Sequence, residues 1–599
     1  MSRHEAFRRS AMPPQVAQKL DTITIPAPTR GIIQSENETY MQPGSAWVLD
    51  NWKPTLRGLS LRGGFALHTA LPETTRVVSA FEYASGINQQ IFAANATKVY
   101  NVTGDVPELV KDSQTSGNYV ASQLANQGGD WMLVANDTGD PILRYNGTTW
   151  ATLATTTPTA WTTSHAYVIG DRVMDDTRIY WKCAIAHTSA ASGDFEDDYN
   201  ANPTYWERDM ASDDNSWITG PPDTPVENGG NLTYVCKYRG RYFFIELNSM
   251  NAWYLELNNV GGQLQMIPLA GATTKGGHLL FCATWSVNAG DGIDDKLVFC
   301  TDLGELIIFT GGNPSDAGNW KQEGRYQVGA PLGMNAWLSV GGDLLIATVD
   351  GIVPVSGAIT KGAAELELAA VTRPIRQMWR EEVLDKRNMP WTLCNWPEYG
   401  GIFVTWPGGA VDHRLCAVVN SATGAWTRFT GWDCTCFMKM QGQMFFGTQD
   451  GKIMQADVGG TDDGDDYVAT LVGGWDMFAS PSQTITWRQA RASFSARAGE
   501  PFIPQLAGTV DYVVTLPTPP PAGVDPGPLS LWDEGLWDVA VWDGAPAPAH
   551  VVRNTGWVSI GVTGYSHAPI VQVRVSQQSK PQVDLISIAA TFERAGMNV

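Results

Sequence analysis

An all-β fold, built as an irregular β-propeller of about six or seven blades, is what three features of this sequence predict. A phrase of apolar strand, tight turn and second strand recurs between Arg76 and Asp457. The composition holds 61 Gly and 24 Trp with only 17% charged residues, which suits turn-rich β-structure and argues against disorder. One segment alone carries a helical stripe. At 599 residues the chain exceeds a single core, so several domains are expected.

The repeat begins with Gln90–Tyr100 and continues through Trp131–Asp137 with Ile142–Tyr145, Tyr242–Ile245 with Ala252–Leu255, and Leu297–Phe309. Two copies are sharpest. In Leu344–Val353 and Met444–Met454 the turn reads Thr-x-Asp-Gly, and Asp-Gly offers the positive backbone angle that a two-residue hairpin requires, so Gly351 and Gly451 are read as turn residues. A further hairpin is predicted where Asn420, Ser421 and Gly424 separate two apolar runs. A plain stack of β-sandwiches is the alternative architecture.

The one helix is predicted over Pro374–Lys386, with Pro374 in its first turn and Ile375, Met378, Trp379 and Val383 on one face. After Asp457 the acidic run Thr461–Asp466 lacks calcium-loop spacing and reads as a solvated linker. The Pro-rich stretch 517–528 leads into three Trp-Asp pairs at Trp532, Trp537 and Trp542, whose period of five fits neither helix nor strand. Strands such as Val571–Val575 and Leu585–Ile588 complete a C-terminal β-domain.

Residues 160–206 differ from their surroundings: Trp161, then Tyr167-Val168-Ile169-Gly170-Asp171-Arg172-Val173, then Tyr180-Trp181-Lys182-Cys183, then Tyr205-Trp206. The pattern resembles a small chitin-binding type carbohydrate module. That resemblance implies stacking of aromatic rings on sugar faces, with Trp181, Tyr205 and Trp206 as the candidate contacts and a host surface glycan as the ligand. The stretch Ala184–Ser189 departs from the pattern, having no tryptophan where the family often exposes one. A core role for the three aromatics stands as the alternative.

The formal net charge of −21 disfavours a surface that grips phosphate backbones. The exception is a basic arm with Arg3, Arg8, Arg9 and Lys19. Met1–Leu20 has no apolar run of signal-peptide type and no stretch reaches the roughly 18 apolar residues of a spanning helix, so synthesis in a cytoplasm is expected. The eight cysteines sit in apolar runs and read as reduced core residues. Phosphate-loop, zinc-protease and nucleophile-elbow motifs are missing, and the eight histidines are scattered, so neither an enzyme nor a cofactor or metal is expected. Two carboxylates would suffice for a glycosidase, which keeps a glycan-degrading alternative open.

Near the start stand Ala46-Trp47-Val48-Leu49-Asp50-Asn51-Trp52-Lys53-Pro54 and Arg57-Gly58-Leu59-Ser60-Leu61-Arg62-Gly63-Gly64. This phrase resembles the opening of the tail nozzle proteins, or tail tubular protein B, of short-tailed double-stranded DNA bacteriophages. The resemblance implies a homohexameric tube below a portal adaptor protein, docking tail fibres or a receptor-binding protein, with genome DNA passing through without specific binding. It places the chain in the virion tail. On that reading Trp47, Trp52, Trp532, Trp537 and Trp542 fill subunit or adaptor contacts. The expected division is an arm (1–30), part of a platform (31–75), propeller (76–157), inserted module (158–213), propeller (214–457) and a C-terminal platform domain (458–599). A glycan-binding or glycan-degrading receptor-recognition protein on a propeller scaffold is the rival function.

Overall fold

A computed structural model describes residues 20–594, apart from 36, 154–158, 177–179, 210–216, 222–223, 228, 287–294, 361, 363–364, 409–414, 479–482, 498–499 and 523–549. Among the described residues the chain is an all-β propeller of seven blades with a β-sandwich platform. Blade one holds strands Ser79–Ser85, Asn88–Ala94, Val99–Asn101 and Glu108–Lys111; blade two runs from Tyr119–Asn126 to Trp150–Thr152. Blade three runs from Leu232–Tyr238 to Gln265–Pro268, and blade four from Leu279–Trp285 to Lys321–Gln327. Each is an antiparallel meander whose first strand packs beside the first strand of its neighbour, the arrangement that rings a central axis.

Blade five has three strands, Trp337–Val340, Asp343–Thr348 and Gly351–Pro354. Helices follow instead of a fourth strand. The expected helix runs Arg376–Lys386 and buries Met378, Trp379 and Val383. Trp379 packs against Trp391 and Trp406 at 5.3 and 5.7 Å between ring centroids. Blade six comprises Leu393–Trp396, Gly401–Thr405, Leu415–Asn420 and Trp426–Thr430. Its Asn420 side chain accepts from the amides of Ala422 and Thr423, forming the turn that the sequence suggested.

Blade seven closes the ring. Three of its strands, Cys436–Met440, Gln443–Gly447 and Lys452–Ala456, come from the end of the propeller, and the fourth, Phe65–Ala70, comes from the start of the chain. The expected boundary at residue 75 therefore falls elsewhere: a strand assigned to the platform is the outer strand of the last blade. Likewise Asp21–Pro26, placed in the arm, is a platform strand paired with Ser587–Phe592.

The Thr-x-Asp-Gly turns differ from expectation in detail. Thr348 pairs with Gly351, so Val349 and Asp350 form the loop and the positive angle (φ 136°) falls on the first residue of the returning strand. In the second copy the Thr448 amide donates to Lys452, leaving three residues in the loop with Gly451 at φ 81°. Glycine carries the unusual angle in both.

The platform is two facing sheets. One continues blade six: Trp426–Thr430 meets Ala46–Asp50 in parallel, followed by Tyr467–Gly473, His567–Val575 and Pro504–Val510. The other is built on the long strands Ile485–Arg497 and Val583–Arg594. Leu471, Val571 and Val573 from the first meet Ala492, Phe494 and Leu585 from the second in one core, which also contains Trp379 and Trp426. Platform and propeller thus share buried apolar side chains.

Candidate functional site

The phrase at residues 46–64 builds the joint between these two parts. Asn51 adopts a left-handed conformation (φ 63°), which a short amide side chain tolerates. Its Nδ2 donates to Thr430 Oγ1 (2.7 Å) and to the Val468 carbonyl (2.8 Å), while its Oδ1 accepts from the Thr430 amide (3.0 Å) and from Arg62 Nε (2.8 Å). Beside it Asp50 takes two bonds from Arg428, at 2.6 and 2.9 Å.

Arg62 is wholly buried, and all five of its N–H groups find acceptors. Nε reaches Asn51; Nη1 reaches the Gly63 carbonyl (2.9 Å) and Asp462 Oδ1 (2.8 Å); Nη2 reaches the Thr430 carbonyl (3.1 Å) and Asp462 Oδ2 (2.7 Å). The guanidinium lies over the Tyr467 ring, 3.9 Å from its centroid, and the Tyr467 hydroxyl donates to the Arg62 carbonyl. Burial opposes the charge, but Asp462 outweighs it, so the Arg62 pKa is raised above its ordinary value. Gly64 permits the approach: a Cβ there would lie 1.8 Å from the Thr461 carbonyl oxygen.

The run 461–466 links propeller to platform with residues 463–466 exposed, but it is tied down by specific partners that a free linker would lack. Asp462 is the counter-ion of Arg62, the Asp463 amide donates to Phe65, and Asp466 faces Arg574 at 3.7 Å. Among the described residues no group of three or more His, Cys, Asp or Glu side chains is arranged to hold a metal.

Trp52 is completely buried inside its own chain, where its carbonyl accepts from Thr427 Oγ1 at 2.6 Å, so it is not available as a subunit or adaptor contact. Trp47 is half-buried against Val472, Trp475 and Ile570. Trp532, Trp537 and Trp542, and the basic arm, lie outside the described residues.

The inserted module is folded around Tyr167, Val173, Cys183, Phe195 and Trp206. Gly170 (φ 97°) and Asp171 make its turn, the Asp171 carboxylate accepting from the Val168 amide at 2.8 Å. Trp206 is 3% exposed, its Nε1 donating to Asp198 Oδ2 at 3.0 Å, with Tyr167 and His187 against its ring. It is a core residue, which removes it as a glycan contact. Trp181 is half-buried, donates to Asp175 (2.9 Å) and lies 4.7 Å from the Tyr199 ring. Tyr205 is half-buried against His187 at 4.7 Å. The structure adds Tyr199, presented by a helix, Phe195–Ala201, that the acidic sequence around it concealed.

Cys183, His187 and Asp198 form a line through this core, with Sγ to Nδ1 at 3.7 Å and Nε2 to Oδ2 at 3.4 Å. Cys183 is fully buried, and burial pushes its thiol pKa up, away from the thiolate that nucleophilic chemistry uses. The three residues pack the module.

Two neighbouring hollows lie against the innermost strands, and Val120, Tyr234 and Trp337 line both. One, of 350 Å³, is lined by Glu82, Tyr119, Trp337, Cys394 and Lys439. The other, of 770 Å³, is lined by Gln123, Tyr234, Cys236, Lys237 and Asp295.

No protein-family model matches the chain, and no curated protein matches it. Among solved structures it is similar to a computationally designed protein, Ika8 (12% identity, 66% of this chain and 100% of that one, TM-score 0.31). It is also similar to YCF48 from Cyanidioschyzon merolae (9%, 66% and 98%, TM-score 0.27) and to BamB from Moraxella catarrhalis (10%, 69% and 95%, TM-score 0.28). The strand topology of the chain itself establishes the propeller.

Proposed function

We propose that this chain is a structural virion protein, a tail nozzle that assembles as a homohexameric tube below a portal adaptor and carries tail fibres. One observation carries the reading: the residues of the nozzle-like phrase, Asp50, Asn51, Arg62 and Gly64, are those that fasten the propeller to the platform. A rigid buried joint is what a tube subunit needs if its two halves are to keep a fixed relation while DNA passes. The continuous eight-stranded sheet from blade six into the platform supports the same role, since bending there would break backbone hydrogen bonds.

Charge supports it as well. Six chains of formal charge −21 give −126, and an acidic lumen repels the phosphates of passing DNA, so that the duplex slides without adhering. In this reading the chain does no chemistry.

The rival glycan reading rests on the half-buried Trp181, Tyr199 and Tyr205 of the module. Gold-labelled antibody against this chain, applied to purified particles from a lysate of the source culture, separates the two. Label at the tip of a short tail is the expected result; particles without label overturn the nozzle assignment and favour glycan recognition.

A further inference from the structure

The innermost strands of blades three and four lie side by side around the propeller axis, and each carries a cysteine: Cys236 in Leu232–Tyr238 and Cys282 in Leu279–Trp285. Their sulfur atoms are 2.7 Å apart. Both thiols are free and buried, yet they are not equivalent. Cys236 lines the 770 Å³ hollow, whereas Cys282 is 0% exposed and lies behind it.

We propose that Cys236 and Cys282 are a convertible thiol pair that small disulfides entering this hollow oxidise to a covalent staple between blades three and four. The order of events follows from access. The Cys236 thiolate attacks one sulfur of the incoming disulfide, forming a mixed disulfide and expelling one thiolate. The Cys282 thiolate then attacks the Cys236 sulfur and expels the second. The protein loses two protons and two electrons; the small disulfide gains both and leaves as two thiols. Burial holds the Cys282 thiol well above its ordinary pKa, so the second step is the slow one. The staple joins strands that already touch, 46 positions apart in sequence, and needs only a small approach of the two sulfurs toward bonding distance.

The test uses the native, full-length chain incubated with cystamine. Remaining thiols are alkylated under denaturing conditions, and the chain is digested without reduction for mass spectrometry. The expected product is a cross-linked peptide joining Cys236 to Cys282, with six of the eight thiols left for alkylation. In Cys282→Ala the same treatment leaves a cystamine-derived adduct on Cys236, because the resolving thiol is gone. Retention of all eight thiols in the native chain overturns the proposal, as does a stable adduct on Cys236 that never resolves, or cross-links that join other cysteines instead.

Discussion

Arg62 and Asp462 stand 400 positions apart in the sequence and meet through two hydrogen bonds of 2.7 and 2.8 Å, with the arginine side chain entirely sealed from solvent. Asn51, Gly63 and Thr430 take the remaining donors, so the site is complete only when the N-terminal phrase, the outer strand of blade six and the loop after blade seven are all in place.

Arg62→Met leaves the Asp462 carboxylate without its partner and also strips Asn51 and Thr430 of a donor; the expected loss is about 3–5 kcal/mol. The double variant Arg62→Met, Asp462→Leu is expected to cost less than the sum of the two single changes. Denaturant unfolding of the three variants measures this, and additive costs would contradict the coupling.

Gly64→Ala is expected to lower the melting temperature by several degrees. A methyl group at 1.8 Å from a backbone oxygen cannot be accommodated by turning a side chain, so the joint must open. Gly86→Ala serves as the comparison, since nothing lies within 4 Å of that position, although its positive φ adds a smaller backbone cost of about 1 kcal/mol.

His567 gives the platform a pH dependence. It is buried between the Trp487 ring, 5.3 Å away, and Phe478, with Nε2 3.0 Å from the Ile485 carbonyl. Burial lowers its pKa, and the Ile485 carbonyl, Asp511 and Asp476 offset this only in part. The unfolded chain therefore takes up the proton first. Stability contributed by the neutral ring is full above the unfolded value of 6.5, and it declines as pH falls from there toward the lowered folded value. Denaturant midpoints measured from pH 8 to pH 5 should show this decline in the native chain and a flatter profile in His567→Phe; parallel profiles would remove His567 as the cause.

In the module, Trp206→Ala is expected to unfold residues 159–208 locally, at a cost of about 3–5 kcal/mol, because it empties the core and removes one hydrogen bond from the buried Asp198. Trp181→Ala and Tyr205→Ala should leave the module folded, with losses nearer 1–2 kcal/mol for half-buried rings. Limited proteolysis distinguishes the two classes. Deleting residues 158–213 is expected to abolish any glycan retention while leaving tube assembly intact; loss of assembly would show that the module does more than project from the ring.

The local part of the fold was legible. Hairpins within blades announce themselves through Asp, Asn and Gly at the turn, and the helical stripe of Met378, Trp379 and Val383 sits where its spacing put it. What stayed hidden is long-range. Phe65–Ala70 looks like any short strand, and no local signal says that it pairs with Lys452–Ala456. The acidic run 461–466 gave no sign of its counter-ions, Arg62 and Arg574, because they are distant in sequence. Trp206 was ambiguous for another reason: a ring with one polar edge suits a sugar face or a core equally, and Asp198 decides it here.

The strand Phe65–Ala70 leaves the ribosome early, and its partner, Lys452–Ala456, emerges only after six blades and the inserted module have been made. At roughly 5–20 residues per second the wait is on the order of tens of seconds. Throughout that interval the nascent chain holds an open arc with an unpaired edge at the Phe65 end, exposed to whatever else in the cell offers a matching strand. The clasp at Arg62 cannot form any sooner, because Asp462 is translated later still. Ring closure and joint formation are therefore one late event, and a ribosome stalled before residue 452 would carry a chain that has neither.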